Sequence, residues 1–565
     1  MGFVASGSIT ILLERRFALP GWSLARVLAL PATTAAALYA IALLVRVSAV
    51  NLIHFPMSEG SAYYFDVARN FVNGRGLVID AIWSYATPPL ALPRPAFELW
   101  QPMASVLAAI PMTQLDATFD AARLGGVLAG ALLAPLAWLV ARDAATRLRL
   151  PDIRSDWLAA GAGLLAAVAG PFVFATAVPD STLPFTVFGV AACVAIPRAV
   201  AGDRRALIAL GLLLGLAYLT RMEAIWIGLA FAFIALVSST RPVLAVARVA
   251  VAAAVAALIA LPWWMRNMES FGTPLPGQVT DNMLLTRNEQ IFAWLEPPTF
   301  VGFLTQGAFG VVGSVVRAAW HDAVNVLLIP AAPIVTVAAL TIGTLLWRHR
   351  RALSSARATL PANSPLAALL LSGAITFVAA TLLFPVATLW GTFEHAAGPF
   401  LVGLIVVALL GGDALVAWLV QRRSWQRTNA WLAPLALVAL TVPLSLLQIG
   451  SAARQASQQA AELNAIALAV PERLTAMGVP DEAPIITDHP VWISDATGRP
   501  ALALPDEPVT SVLDLARRFG ARSVLVMETR GAYPGLLERN VQECFSQRFP
   551  AGEAALFVID RECLK

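Results

Sequence analysis

Apolar runs of about 20 residues recur along this chain from Val27 to Gly450, and they limit its fold more than any other feature of the sequence. A helix needs about 20 apolar residues to cross the roughly 30 Å hydrocarbon core of a bilayer. Only 13% of the residues are charged, whereas soluble globular proteins carry about 25%. The sequence therefore predicts a mainly α-helical protein that crosses a membrane many times.

The positions of these runs predict about eleven membrane spans. The division is least clear in Ala206–Val237, where Arg221 and Glu223 interrupt an apolar stretch, and we interpret this stretch as two short spans. The run Leu99–Thr113 is too short to span and is predicted to be interfacial or re-entrant. The predicted spans are residues 27–50, 121–141, 158–177, 181–199, 205–220, 223–239, 248–264, 324–347, 366–387, 398–420 and 429–449.

The arginines predict the orientation of these spans. They cluster near residues 15–26, 142–154, 198–205, 241–248, 348–357 and 422–427, and with eleven spans every cluster falls on the side of the N-terminus. Because lysine and arginine mark cytoplasmic loops, we expect a cytoplasmic N-terminus in a plasma (inner) membrane. Two long loops, 51–120 and 265–323, are then extracytoplasmic. The segment Ile9–Pro20 is too weakly apolar for a signal peptide, so we expect the first span to be retained.

The last part of the chain has a different composition. Residues 1–450 are predicted to form the membrane domain and residues 451–565 an extracytoplasmic α/β domain. Helical spacing covers Ala452–Thr475 and Val512–Phe519, and short strands are predicted at Pro484–Thr487, Ser523–Glu528 and Ala554–Ile559. Three cysteines are too few for a disulfide framework, but Cys544 and Cys563 can pair if this part lies in an oxidising compartment.

Glu59 is the first candidate for chemistry. It lies a few residues beyond the first span, at the start of an amphipathic stretch that ends at the turn Asn73–Gly76. A carboxylate held just above the lipid on a rigid element is well placed to accept a proton from a substrate hydroxyl. The alternative is that Glu59 only stabilises the first turn of its own helix, and spacing alone favours this alternative.

Arg221 and Glu223 form the second candidate site. Charged residues inside an apolar run are costly unless they face a cavity or the interface. Arg221 either binds an anionic group such as a phosphate or only forms a structural ion pair with Glu223.

Arg266, Asp180 and His395 each have a simpler alternative role. Arg266 follows two tryptophans at the end of a span, where arginines commonly reach out to the interface. Asp180 lies before a predicted helix, which it can cap, and His395 lies just before a span. The five histidines are scattered, so no zinc site is predicted; a divalent metal is compatible with the chain but is not indicated, and no other cofactor is expected.

An ordered set of patterns in this sequence resembles the GT-C superfamily of polytopic glycosyltransferases, which includes the protein O-mannosyltransferases and the lipid A aminoarabinose transferase. The patterns occur in the family's order and cover nearly the whole chain. They are S-E-G-S-A-Y-Y-F-D-V-A-R-N from Ser58, the G-R-G turn, Gln101-Pro102, Ala122–Arg142, L-T-R-M-E-A from Leu219, P-W-W-M-R-N-M-E-S-F-G-T-P-L-P from Pro262, and D-A-T-G-R-P-A-L-A-L-P from Asp495.

The resemblance implies a GT-C-like helical bundle that moves a sugar from a polyprenyl-phosphate carrier to an acceptor hydroxyl, usually with inversion. The family's acid of the first outer loop is the presumed base, and Glu59 occupies its position. Many relatives have aspartate or two acids there, whereas Ser58 precedes Glu59 here, which puts the reach of the base and a metal held by paired acids in doubt. Arg221 matches a position where relatives often carry a basic residue, and Arg266 matches the family's arginine after a span. The resemblance implies that either one can hold the carrier phosphate. The remaining candidate substrate-site residues are Tyr63, Tyr64, Gln101, Asp180, Glu223 and His395.

The implied partners are a polyprenyl-phosphate-linked sugar, membrane lipid, and a protein, glycan or lipid acceptor; no nucleic acid is expected. Two other functions remain open. A transporter places its substrate near the midplane, often between repeated halves, but this sequence shows no repeat and its polar loops gather on one side. A non-catalytic scaffold or lipid-binding subunit with the same fold is the closer alternative.

Overall fold

The structure, a computed structural model, describes residues 31–277, 279–351, 361–423, 429–527, 544–545, 547–551 and 554–565. The segment Ile9–Pro20, the arginines of residues 15–26, and parts of the clusters at 348–357 and 422–427 lie outside the described residues. The end of the strand predicted at Ser523–Glu528 also lies outside them.

Helices make up most of the described chain. They are α1 (Pro31–Val50), α2 (Glu59–Val72), α3 (Met103–Met112), α4 (Phe119–Ala131), α5 (Leu133–Arg147), α6 (Asp152–Val168), α7 (Gly170–Thr176), α8 (Thr182–Ala201), α9 (Arg204–Thr220), α10 (Ala224–Ser238), α11 (Pro242–Phe271), α12 (Val279–Met283), α13 (Phe300–Thr305), α14 (Gly307–Trp320), α15 (Ala332–Arg351), α16 (Pro365–Leu383), α17 (Gly398–Arg423), α18 (Leu432–Ala476), α19 (Pro490–Thr497) and α20 (Val509–Phe519). A π-helix, His321–Leu328, continues from α14.

The helices establish a multi-pass membrane protein. Among the described residues, 7 helices are long and apolar enough to cross a membrane, or up to 9 if each of two bent pairs counts as one span. The eleven predicted spans are therefore not confirmed as a count. The shortfall lies in α9 and α10, which have 17 and 15 residues. The run Leu99–Thr113 contains only the 10-residue helix α3, in agreement with the prediction that it does not span.

Although they are short, α9 and α10 form a hairpin along the bundle. At one end, Arg248 of α11 donates a hydrogen bond to the Val200 carbonyl at the end of α8 (2.7 Å). At the other end, Arg221, between α9 and α10, donates to Ser181 just before α8 (2.9 Å). The hairpin therefore extends between the same two ends of the bundle as α8 and α11. The break predicted between α9 and α10 is present.

Short strands form two sheets. They are β1 (Val78–Ile79), β2 (Ala81–Ile82), β3 (Arg94–Pro95), β4 (Ile485–Thr487), β5 (Ala501–Ala503), β6 (Ser523–Val526), β7 (Gln547–Ala551) and β8 (Ala554–Val558). β1 pairs with β3, and the other six strands form one sheet in the order β2-β5-β4-β6-β8-β7. Three of the strands match predicted ones, whereas β5 and α19 were not predicted.

The C-terminal part is not a separate layer. Its sheet takes its edge strand β2 from the first long loop, with Ala81 paired with Ala501 and Ile82 with Leu502 in parallel. One hydrophobic core joins both loops to the sheet and includes Trp83 and Phe292. The sheet and its core are therefore shared between the first loop and the C-terminal part. The division into two domains stays a prediction.

A 45-residue helix connects the bundle to the sheet. From Leu432 onward, α18 covers the last predicted span, 429–449, and continues without interruption through the helix predicted at Ala452–Thr475. The predicted domain boundary after Gly450 thus falls inside one continuous helix. The cysteines left open by the sequence, Cys544 and Cys563, form a disulfide in this C-terminal part, whereas Cys193 is buried and free.

Candidate functional site

Five of the predicted site residues converge at the end of the bundle that carries the sheet. Asp180 precedes α8, Arg221 and Glu223 lie in the break between α9 and α10, and His395 lies in a short turn before α17. Tyr64, on α2, reaches the same place from the first long loop, where its hydroxyl interacts with Ser181 in the field of Asp180 and Arg221. We call these five residues the Asp180 cluster.

Asp180 is held by the start of α8. Its Oδ1 accepts hydrogen bonds from the Thr182 backbone N–H (2.7 Å) and the Thr182 hydroxyl (2.5 Å). The same oxygen lies 3.3 Å from Nδ1 of His395, and Thr182 Oγ1 is 2.6 Å from that nitrogen. The sequence P-D-S-T thus builds a helix cap that also fixes a histidine from a distant segment.

The charges in this pair stabilise one another. Burial disfavours the Asp180 carboxylate, but the charge of His395 and the Thr182 hydrogen bonds outweigh it and lower the pKa of Asp180. Burial also disfavours a charged His395, and here the Asp180 carboxylate outweighs it and raises the pKa of the imidazole. The geometry therefore favours the charged form of both partners.

Arg221 supplies the other cation of the Asp180 cluster. Helix α9 ends there because the Arg221 backbone is extended (φ −156°, ψ 138°). Its guanidinium donates to Glu223 Oε1 (2.6 Å) and Ser181 Oγ (2.9 Å). Nε of Arg221 is buried and has no partner among the described residues, which is uncommon for a buried donor and calls for an explanation.

Glu59 occupies a different environment. Ser58 is the N-cap of α2, and Glu59 is the first residue of that helix. Its carboxylate accepts hydrogen bonds from the backbone N–H groups of Val491 (3.0 Å) and Trp492 (3.1 Å). Glu59 therefore caps α19, a helix of the C-terminal part, and we call this contact the Glu59 cap.

The environment of the Glu59 cap has a consequence for ionisation. His489 Nδ1 lies 3.8 Å from Glu59 Oε1. Burial raises the pKa of Glu59 to about 7, against the opposing effects of His489 and the two backbone hydrogen bonds. A carboxyl with a pKa near neutrality meets one requirement for a general base.

Two other candidates, Tyr63 and Arg266, contact residues of the first loop. Tyr63 is buried, accepts a hydrogen bond from the Phe97 N–H (2.5 Å) and donates to Glu98 (3.3 Å). Arg266 donates to the carbonyls of Ala96 (2.7 Å) and Leu77 (3.3 Å) and stacks on Trp263. In the described structure, Tyr63 joins two parts of the first loop, whereas Arg266 fastens that loop to α11.

Gln101 lies before α3 and is partly buried, with its Oε1 lacking a described partner. Sequence reasoning missed Ser181 and Thr182, although they follow Asp180 directly and short hydroxyl residues at a helix start signal a cap. It also missed Asp66 and Arg69, which lie on the polar side of α2; Arg69 pairs with Asp66 and with Asp495 of α19 (2.6 Å). Among the described residues, no group of three or more His, Cys, Asp or Glu is arranged to hold a metal ion.

Part of this sequence matches a known protein family. Residues 95–265 match the family model of the dolichyl-phosphate-mannose-protein mannosyltransferases, a region that includes Asp180 and Arg221. No curated protein matches the chain.

Solved structures share the fold. ArnT from Cupriavidus metallidurans, in the apo state, is 14% identical with a TM-score of 0.53, covering 94% of this chain and 98% of that one. The same protein bound to undecaprenyl phosphate is 15% identical with a TM-score of 0.51, again covering 94% of this chain and 98% of that one. The apo oligosaccharyltransferase of Archaeoglobus fulgidus is 15% identical with a TM-score of 0.54, covering 87% of this chain and 69% of that one. The resemblance to the GT-C superfamily is supported by the family match over residues 95–265, and the solved structures show that the fold is shared.

Proposed function

We propose that this protein is a glycosyltransferase that moves a sugar from a polyprenyl-phosphate carrier to an acceptor hydroxyl on the extracytoplasmic face of the plasma (inner) membrane. The observation that carries the proposal is the Asp180 cluster, where Arg221 keeps a buried, unpartnered donor beside an acid–histidine pair. Support for the carrier comes from the ArnT structure with undecaprenyl phosphate. The paired Cys544 and Cys563 support an extracytoplasmic sheet, since disulfides persist in oxidising compartments.

The reaction is a single displacement with inversion. The acceptor oxygen attacks the anomeric carbon of the sugar while the bond from that carbon to the carrier phosphate oxygen breaks. The leaving phosphate gains negative charge, which Arg221 stabilises with a fixed, desolvated guanidinium. Arg266, the other predicted phosphate ligand, already binds two loop carbonyls, so we assign the phosphate to Arg221 first.

Glu59 is proposed to take the acceptor proton. Its pKa of about 7 suits this role, because an effective base is ionised near the operating pH and still binds a proton well. Each carboxylate oxygen of the Glu59 cap accepts one N–H and has a second lone pair available. Asp180 is a weaker base, because its lowered pKa leaves it little affinity for a proton.

A non-catalytic scaffold is the second candidate function. The observation in its favour is that both oxygens of Glu59 already cap α19, a purely structural use of the acid. In this case the fold and the carrier-binding surface are retained without transfer.

The experiment uses the full-length protein in lipid nanodiscs with a panel of radiolabelled polyprenyl-phosphate sugars. We expect the wild type to transfer or slowly hydrolyse one of them and Glu59→Gln not to do so. Glu507→Gln is the matched control, because Glu507 also caps backbone N–H groups between the C-terminal part and a loop, at Trp294 (2.9 Å) and Glu296 (2.8 Å). Equal activity in wild type and Glu59→Gln removes Glu59 as the base, and no turnover of any sugar by the wild type favours the scaffold.

A further inference from the structure

A second acid–histidine pair lies near the Asp180 cluster. Asp322 is completely buried in the π-helix that follows α14, and its Oδ1 is 3.2 Å from Nδ1 of His321. A buried carboxylate is costly unless it is hydrogen-bonded, and π-helical turns occur frequently at functional sites. The proposed transfer does not use Asp322, so its position needs another explanation.

Asp322 binds the turn that carries His395. Thr388, also fully buried, donates its hydroxyl hydrogen to the Asp322 carboxylate, with oxygen distances of 2.9 and 3.1 Å. The same hydroxyl oxygen accepts the backbone N–H of Phe393 (3.3 Å). Asp322 thereby sets the direction of the Thr388 hydroxyl, which in turn closes the chain between residues 388 and 393.

The histidine ring packs closely against the backbone of this turn. Gly391 has φ of +114°, and a Cβ at this position would lie 2.8 Å from Cδ2 of His395. The His395 N–H donates to the Gly391 carbonyl (3.0 Å). The ring therefore packs against the glycine on one side and meets Asp180 and Thr182 on the other.

We propose that Asp322 is a positioning residue that acts through Thr388 to hold the His395 imidazole on Asp180. The inference rests on the proposed function for its catalytic meaning, since a fixed imidazolium keeps Asp180 ionised and the neighbouring phosphate site polar. The contact itself is a property of the fold and is testable without turnover.

The charge state of His395 reports its position. Among the described residues, the charged groups with the largest effects on the imidazole are Asp180, which raises its pKa, Arg221, which lowers it, and Glu394, which raises it. If the turn loosens and the ring leaves Asp180, the largest favourable charge is lost. The pKa of His395 then falls toward, or below, its ordinary value.

The test measures this pKa by NMR on the full-length protein in nanodiscs with ¹³C-labelled histidine. The chain has 5 histidines, so the His395 signal can be assigned by its absence in His395→Gln. We expect Asp322→Asn and Thr388→Val to lower the His395 pKa by about one unit, the scale of a close charge contact. Thr388→Ser, which keeps the hydroxyl, is expected to restore the wild-type value.

Matched controls separate positioning from general damage. Thr381→Val removes a buried hydroxyl that bonds only within α16, to the carbonyls of Phe377 and Val378. Asp413→Asn removes a buried acid, paired with Arg154, at the other end of the bundle. Both should leave the His395 pKa unchanged.

An unchanged His395 pKa in folded Asp322→Asn or Thr388→Val overturns the proposal. Loss of folding in both variants while Thr381→Val folds also overturns it, since the contact is then a requirement of the fold. Transfer assays on the same samples separate the two proposals: a lowered pKa without any wild-type turnover leaves the positioning role intact and refutes the proposed function. With turnover, we expect about a tenfold loss in kcat, with little change in KM for the carrier.

Discussion

Asp180 and Glu59 are both buried acids at the same end of the bundle, yet their environments move their pKa values in opposite directions. Asp180 shares its site with His395 and two hydrogen bonds from Thr182, and these keep the carboxylate charged. Glu59 receives only two backbone N–H groups and a more distant histidine, so burial dominates and raises the pKa to about 7. Two acids whose environments separate their pKa values can take different roles in catalysis.

Under the proposed function, the two acids have different roles. The Asp180 cluster, which lies at the ends and breaks of membrane helices, is proposed to hold the anionic phosphate through Arg221. The Glu59 cap, at the contact between α2 and α19, is proposed to exchange the acceptor proton. The variants below challenge that division, beginning with the one from which we expect the largest effect.

Arg221→Gln should abolish most of the transfer. The variant removes the guanidinium that we place on the leaving phosphate, and loss of one such preorganised donor costs about 100- to 1,000-fold in kcat. Arg266→Gln is the matched arginine, and because Arg266 binds loop carbonyls we expect it to lose less than about tenfold. Steady-state kinetics with the active sugar donor measure both, and a larger loss in Arg266→Gln would move the phosphate site out of the Asp180 cluster.

Glu59→Gln should lower kcat/KM by about 100-fold or more, the usual contribution of a general base. The pH profile is the more specific readout. A base is active when deprotonated, so the wild-type rate should rise with pH up to about 7 and level off above it. The variant should lose this limb, and a limb that persists in Glu59→Gln would assign it to another group.

Asp180→Asn should destabilise the protein by about 2 kcal/mol, between the values typical of exposed and buried ion pairs, since His395 is one-third exposed. The loss should depend on pH. Asp180 contributes stability above its ordinary pKa of about 4, and His395 contributes below the raised pKa of its imidazole. Denaturant titrations should show the largest difference from wild type at about pH 4 to 6.5 and smaller ones on either side; a pH-independent difference would contradict the ion pair.

Asp495→Asn should have the smallest effect. It removes the Arg69–Asp495 pair between α2 and α19, whose side chains are 31% and 32% exposed. Exposed pairs contribute about 0 to 1 kcal/mol. The free energy of unfolding should therefore fall by no more than about 1 kcal/mol, and the transfer rate should change by less than a few-fold. A large loss of transfer would show that the charged contact, and not the Glu59 cap, controls the position of α19.

Sequence reasoning located the parts of the site that depend on local order. The break at Arg221 and Glu223 follows from charges inside an apolar run, and Asp180 follows from its place before a helix. The Glu59 cap could not be predicted, because its partners lie 432 and 433 residues away and α19 carries no strong helix signal of its own. β2 and β5 were missed for a similar reason: strands of two and three residues have no periodicity to detect.

The long helix α18 has a mechanical consequence. At 1.5 Å per residue its 45 residues extend about 68 Å, roughly twice the thickness of the hydrocarbon core. Because no loop interrupts α18 between the bundle and the sheet, the length of this helix determines the distance of the sheet from the lipid. Adding or removing one turn would displace the sheet by about 5.4 Å, while β2 and α2 would remain anchored in the first loop. The sheet is thus attached both to α18 and to the first loop, and the two attachments must agree in length. Insertions in α18 should therefore be tolerated far less well than insertions in ordinary connecting loops.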